Sequence, residues 1–238
     1  MQKKILPVPH HYAVCASDDM PIKTFYEHYY NYIYICLHPF LKLRNASNDI
    51  FLSPEKYPNK KSIITKCKKI YWNDIIKYSG IDTWEKIDLA LRTIIGGLKL
   101  EFAREDLAET LLKKTEENKI ILPNEGFVSE ILFDDMLKSL NDNGHKWVWI
   151  GDEFCTERKL FYIDDLIEST EMPPNLKVMF TYNHEILFAT HWDSFFTLIC
   201  GEKDYIDKCI SKYHFEGFYC NDKTEIYWSC KKHEHKEK

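Results

Sequence analysis

The hydrophobic period changes once along this chain, and the change decides the fold class. Up to Gly144 the apolar residues recur mainly at three- and four-residue steps, as on one face of a helix. Beyond it they come in short runs rich in β-branched and aromatic residues, divided by turn residues. Helices first and strands second predict an α+β protein: an N-terminal helical part packed on a C-terminal, mostly antiparallel sheet with one or two helices. The division expected is residues 1–144, mainly helical, then 145–230, the sheet. The two parts are either separate domains or layers of one. The closing Lys-Lys-His-Glu-His-Lys-Glu-Lys run, 231–238, reads as a disordered charged tail.

In the first part, Ile22, Phe25, Tyr26, Tyr29, Ile33 and Leu37 fall on one face of a helix that Pro39 ends. Residues 41–62 are loop-like. A short strand or helix follows, then a helix near Trp72 to Tyr78 stopped by Gly80. Thr83 caps a helix whose stripe runs from Trp84 to Phe102. Gly96-Gly97 interrupts it and reads as a close helix–helix approach, because no strand precedes it as a phosphate loop requires. Two more helices occupy 104–118 and the stretch after Ser129. In the second part, strands are expected at 146–151, 159–163, 177–182, 186–192, 195–200, 215–220 and 225–229. Helices are expected at 164–169 and 202–213.

Composition narrows the function classes. No run approaches the roughly 20 apolar residues of a membrane span, and Pro7 and Pro9 break the first apolar run too early for an export signal. A cytoplasmic protein is expected, with its eight cysteines as free thiols. Cys200, Cys209, Cys220 and Cys230 recur about ten apart, but structural zinc favours tight ligand pairs, so a metal site is not expected there. His10-His11 and His233/His235 sit near chain ends, where a preorganised metal site is not expected. The net charge of −5 is uneven. The first third is rich in lysine, peaking at Lys60, Lys61, Lys66, Lys68 and Lys69, and the remainder is acidic. With one arginine, Arg44, in the basic third and no recognition motif, nucleic-acid binding is the minority reading.

Glycine-loop, nucleophile-elbow and zinc-helix motifs are missing from the sequence, and no cofactor is expected. Cys155 follows two acids, which disfavour a thiolate. The groups that would carry chemistry are Asp152 and Glu153 after one strand and His191 and Asp193 at a strand turn. Together they would suit acid–base work or a metal-assisted hydrolase, and their alternative roles are turn hydrogen bonds and solvated charges.

The run Phe188-Ala-Thr-His-Trp-Asp-Ser-Phe-Phe-Thr197, with Phe215-Glu-Gly-Phe-Tyr-Cys220 and Glu225-Ile-Tyr-Trp228, resembles a bacterial family of uncharacterised proteins, a domain of unknown function. The resemblance spans residues 20–230 and implies a bacterial cytosolic protein. The acidic, aromatic-rich build with a small meander is also similar in style to immunity proteins that neutralise bacterial toxins. A non-catalytic protein-binding module is therefore expected, with a basic toxin domain as partner; acidic surfaces speed capture of basic ones, and aromatics anchor interfaces. Oligomeric state is left open.

Overall fold

A computed structural model describes residues 13–44 and 57–230. In chain order the elements are α1 (Ile22–Phe25), β1 (Tyr32–Leu37), β2 (Phe40–Leu43), α2 (Lys60–Lys66), β3 (Cys67–Ile70), α3 (Trp72–Ser79), α4 (Trp84–Ile94), α5 (Glu105–Glu117) and α6 (Glu130–Asp142). There follow β4 (Trp147–Gly151), β5 (Arg158–Tyr162), α7 (Ile163–Glu168), β6 (Val178–Thr181), β7 (Leu187–Ala189), β8 (Phe196–Gly201), α8 (Lys203–Tyr213) and β9 (Gly217–Tyr219).

Seven strands form one antiparallel sheet in the order β5-β4-β6-β7-β8-β1-β9, while β2 and β3 pair as a separate ribbon. The α+β class is therefore as expected. Pleating sends alternate side chains to opposite faces, and both faces are covered. On one face Ile33, Ile35, Phe180, Leu187, Leu198 and Cys200 pack with Trp72, Ile87, Leu91 and Leu111 of α3, α4 and α5. On the other, Cys36, Val148, Ile150, Met179, Phe188 and Ile199 pack with Phe133, Met136 and Leu137 of α6, and with residues of α7 and α8. The sheet is thus the middle layer of three. All six residues of β8 are buried, which removes the polar alternation of a one-sided strand.

Several boundaries follow from caps. Gly80, at φ +76°, ends α3 in the left-handed conformation that glycine adopts freely. The Thr83 hydroxyl accepts the Lys86 N–H at 3.3 Å and opens α4, and Ser129 does the same for Leu132 at 3.4 Å to open α6.

Four expectations need correction. The helix placed over Ile22 to Leu37 stops at Phe25, and Tyr32–Leu37 is instead β1, set between β8 and β9. Tyr-Ile-Tyr-Ile-Cys-Leu is β-branched and aromatic, and its preference for a buried sheet outweighs the helical spacing. The Trp84 helix ends at Ile94, so Gly96, at φ +69°, follows the helix rather than lying inside it. The stretch 41–62 begins inside β2 and ends inside α2. Residues 226–229 form a turn, so β9 has β1 as its partner instead of a final hairpin strand.

The basic run is also reorganised. Lys60 is buried, and its ammonium donates to the carbonyls of Leu166 at 2.6 Å, Ile167 at 3.0 Å and Ser169 at 3.3 Å. It thereby satisfies the unpaired carbonyls at the end of α7. Lys69 is paired with Asp135 at 2.7 Å. Lys61, Lys66 and Lys68 remain exposed. Among the described residues no helix is long and apolar enough to cross a membrane.

Candidate functional site

His191 and Asp193 stand on the connection between β7 and β8. The Ser194 hydroxyl locks that turn by donating to the His191 carbonyl at 2.8 Å. The Asp193 N–H donates to His191 Nδ1 at 3.2 Å. A neutral ring that accepts at Nδ1 carries its proton on Nε2, and this atom is buried with no hydrogen-bond partner among the described residues. Burial pushes the His191 pKa down to about 4, against the pull of Asp193 and Asp18. The imidazole lies against the Trp192 indole, with centroids 3.9 Å apart.

Helix α4 delivers Arg92 to the same place. Its side chain is fully buried, and a buried charge survives only if paired and hydrogen-bonded. Nε donates to Asp88 Oδ2 at 2.7 Å, one helical turn earlier. One terminal nitrogen donates to the Asp193 carbonyl, and the other donates to the Ile226 carbonyl at 3.1 Å. The guanidinium also sits 4.7 Å from the Tyr227 ring centre, and the Ser229 hydroxyl donates to Asp88 Oδ2 at 2.6 Å. One side chain thus ties α4, the β7–β8 turn and the segment after β9 together.

Outside this buried pair lies a half-exposed group of acids. The Tyr227 hydroxyl donates to Asp193 Oδ2 at 3.1 Å. Glu125 stands near Asp193; burial first, and the neighbouring carboxylate second, raise its pKa. Lys177 donates to the Gly126 carbonyl at 2.6 Å and sits 3.8 Å from the centre of the Phe127 ring. Burial lowers the Lys177 pKa, while Glu153 and Glu125 oppose the shift. Gly126, at φ +63°, lies so close to the Trp192 backbone that a Cβ would strike the Trp192 carbonyl oxygen. Three large rings rim the group: Phe127, Phe154 and Trp192 are 58%, 59% and 41% exposed. The Phe154 and Trp192 centroids are 6.4 Å apart.

The four residues expected from sequence are therefore divided. His191 and Asp193 meet at one turn, whereas Glu153 acts on Lys177 and is not among the groups that act on His191. Asp152 is engaged in its own loop. Its carboxylate accepts from the N–H groups of Phe154, Thr156 and Glu157 at 2.9, 3.1 and 2.6 Å, and from the Thr156 hydroxyl at 2.8 Å. Burial would raise its pKa, but these donors prevail and lower it. Sequence spacing gave no sign of Asp88, Arg92, Glu125, Lys177 or Tyr227, which arrive from four distant segments.

Cys155 is buried, and its thiol is raised to about 11, by desolvation first and by Asp152 in addition, against the pull of Arg158. Cys200 and Cys209 pack in cores on opposite faces of the sheet. Among the described residues no three His, Cys, Asp or Glu side chains are grouped to hold a metal ion. His10, His11, His233 and His235 lie outside the described residues. Beside Lys177, Thr190 and Thr197 is a cavity of about 10 Å³, room for one water.

Comparison with known proteins finds a bacterial relative of this chain. The chain is 26% identical over 174 residues to the uncharacterized protein YwbB of Bacillus subtilis (strain 168), covering 72% of this chain and 77% of that protein. No solved structure matches with significance. The family described as protein of unknown function (DUF2711) matches residues 18–230, nearly the whole described fold, and the chain belongs to that family.

Proposed function

We propose that this chain is a non-catalytic protein-binding module whose acidic, aromatic-rimmed face around His191 receives a basic surface of a partner. The concrete case is an immunity-like protein that neutralises a cationic toxin domain. One observation carries the reading: the exposed rings of Phe127, Phe154 and Trp192 border Glu125, Glu153 and Asp193. Exposed aromatics supply contact area at little entropic cost, and a carboxylate border attracts and orients cations. The inner groups support the same reading, because their hydrogen bonds serve the fold. Arg92 is held by a carboxylate and two carbonyls, and Asp152 by its own loop.

The test is co-expression with each protein encoded beside its gene, scored by co-purification and by rescue of growth where that neighbour is toxic. A cognate complex should weaken at least tenfold, about 1.4 kcal/mol, in a Phe154→Ala/Trp192→Ala variant, and should weaken further with salt. A complex indifferent to both substitutions, or no complex with any neighbour, overturns the proposal.

A further inference from the structure

The sheet has an end that the His191 face does not use. β5 is its outermost strand, and among the described residues no strand lies beyond it. Its ladder with β4 runs Trp147↔Tyr162, Val148↔Phe161, Trp149↔Leu160, Ile150↔Lys159 and Gly151↔Arg158. Just past its ends, Ile163 N–H donates to the Lys146 carbonyl at 2.9 Å and Asp152 N–H donates to the Glu157 carbonyl at 3.2 Å. In an antiparallel ladder, hydrogen-bonded and non-bonded pairs alternate. Counting inward from those two bonds, Phe161 and Lys159 bond to β4, while the peptide groups of Leu160 and Tyr162 turn outward.

Edge strands are ordinarily protected by charges that project across them. β5 carries two cations, but both are folded back onto its own sheet. The Lys159 ammonium lies 5.0 Å from the Phe161 ring centre, and the Arg158 guanidinium 5.9 Å from the Trp149 ring centre. Beside the edge are large apolar groups in the open: Leu160 is 38% and Trp147 50% exposed, the latter stacked edge-on with Tyr162 at 5.1 Å.

We propose that β5 pairs with β5 of a second copy of this chain, antiparallel about a two-fold axis at Leu160. The pairing would join two seven-stranded sheets into one. Its register is self-complementary. Leu160 meets Leu160 of the second copy, Arg158 meets Tyr162, and Lys159 meets Phe161. No two like charges stand opposite each other, and each cation faces an aromatic ring, a favourable cross-strand arrangement. A slip of one residue would put Lys159 opposite Leu160 and set the two sheets' apolar faces out of phase. β5 itself carries none of the groups of the His191 face, although Glu153 and Phe154 lie on the turn that leads into it. The Leu160 substitutions leave those groups in place, so the two proposals are tested by different variants.

Sedimentation velocity on the full chain tests this between about 1 and 100 μM, the range in which a micromolar dimer forms and dissociates. A monomer–dimer equilibrium is expected. Leu160→Pro removes an outward N–H that the β4 ladder does not use, so it should raise the dimer dissociation constant at least tenfold while the circular dichroism stays unchanged. Leu160→Lys, which sets two ammonium groups face to face on the axis, should do the same and serves if the proline variant misfolds. A wild-type chain that stays monomeric at the highest concentration overturns the proposal. So does a dimer that survives either substitution in a folded variant.

Discussion

Replacing Arg92 by Met should destabilise this protein more than nearly any other change of one polar side chain. The substitution keeps most of the volume and the helix propensity of α4 but removes the charge. Asp88 is then left fully buried with the Ser229 hydroxyl as its remaining partner, and the carbonyls of Asp193 and Ile226 lose their donors. Breaking one side of a buried ion pair costs about 3–5 kcal/mol, and each orphaned carbonyl about 1–3 kcal/mol. These costs overlap, because the segment after β9 can relax, so the net loss is set at about 4–6 kcal/mol. In a chain of this size that is a fall in Tm of roughly 8–24 °C. Urea unfolding followed by circular dichroism and tryptophan emission measures it. The decisive comparison is the double variant Asp88→Leu/Arg92→Met, which buries neither charge and should recover at least about 2 kcal/mol over the single variant. A single-variant loss under about 1 kcal/mol, or a double variant no better than the single, would refute the claim that an uncompensated charge dominates.

Other predictions follow from the same geometry. Burial lowers the pKa of His38 to about 3 and of His191 to about 4. The unfolded chain therefore binds more protons than the folded one below about pH 6.5, and the stability these rings contribute is lost as pH falls toward those values, at up to about 1.4 kcal/mol per pH unit for each. His191→Asn should remove one ring's share from the slope of stability against pH between 6 and 4; an unchanged slope would show that the ring is not held neutral. Gly126→Ala should cost at least about 1–3 kcal/mol in urea unfolding, from the left-handed φ and the clash with Trp192, and a neutral result would remove the close approach. Lys60→Met should cost about 2–3 kcal/mol, since three carbonyls at the end of α7 lose one shared donor, whereas Lys61→Met should change stability by under about 0.5 kcal/mol. Equal effects of the two would return Lys60 to the solvent.

Where the period was long and one face stayed polar, the elements were legible: α3, α5 and α6 each carry an amphipathic stripe, and α3 and α6 also a recognisable stop or cap. β1 was not, because a central strand buried on both faces has no polar alternation, and its Ile33 and Leu37 also happen to satisfy a helical step. Lys60 illustrates the same limit for charge, since the carbonyls that hold its ammonium lie about 106 residues away and leave no local trace. At the candidate site, His191 and Asp193 could be picked out because they share a turn. Their partners Arg92, Glu125 and Tyr227 converge only through the three-layer packing. Asp152 takes the alternative role its position in a turn allowed: its partners are its immediate neighbours in an Asx-type loop.

The position of β1 has a consequence for how the molecule is made. This strand leaves the ribosome before its neighbours, which are residues 196–201 and 217–219, and the gap to β8 is about 160 residues. During synthesis the nascent chain must carry Tyr-Ile-Tyr-Ile-Cys-Leu, sticky and unmatched, until β8 has emerged about 160 residues later. Premature termination anywhere before β8 would leave that segment with no place to go, so truncated products should be drawn to chaperones or precipitate while the full-length chain remains in solution.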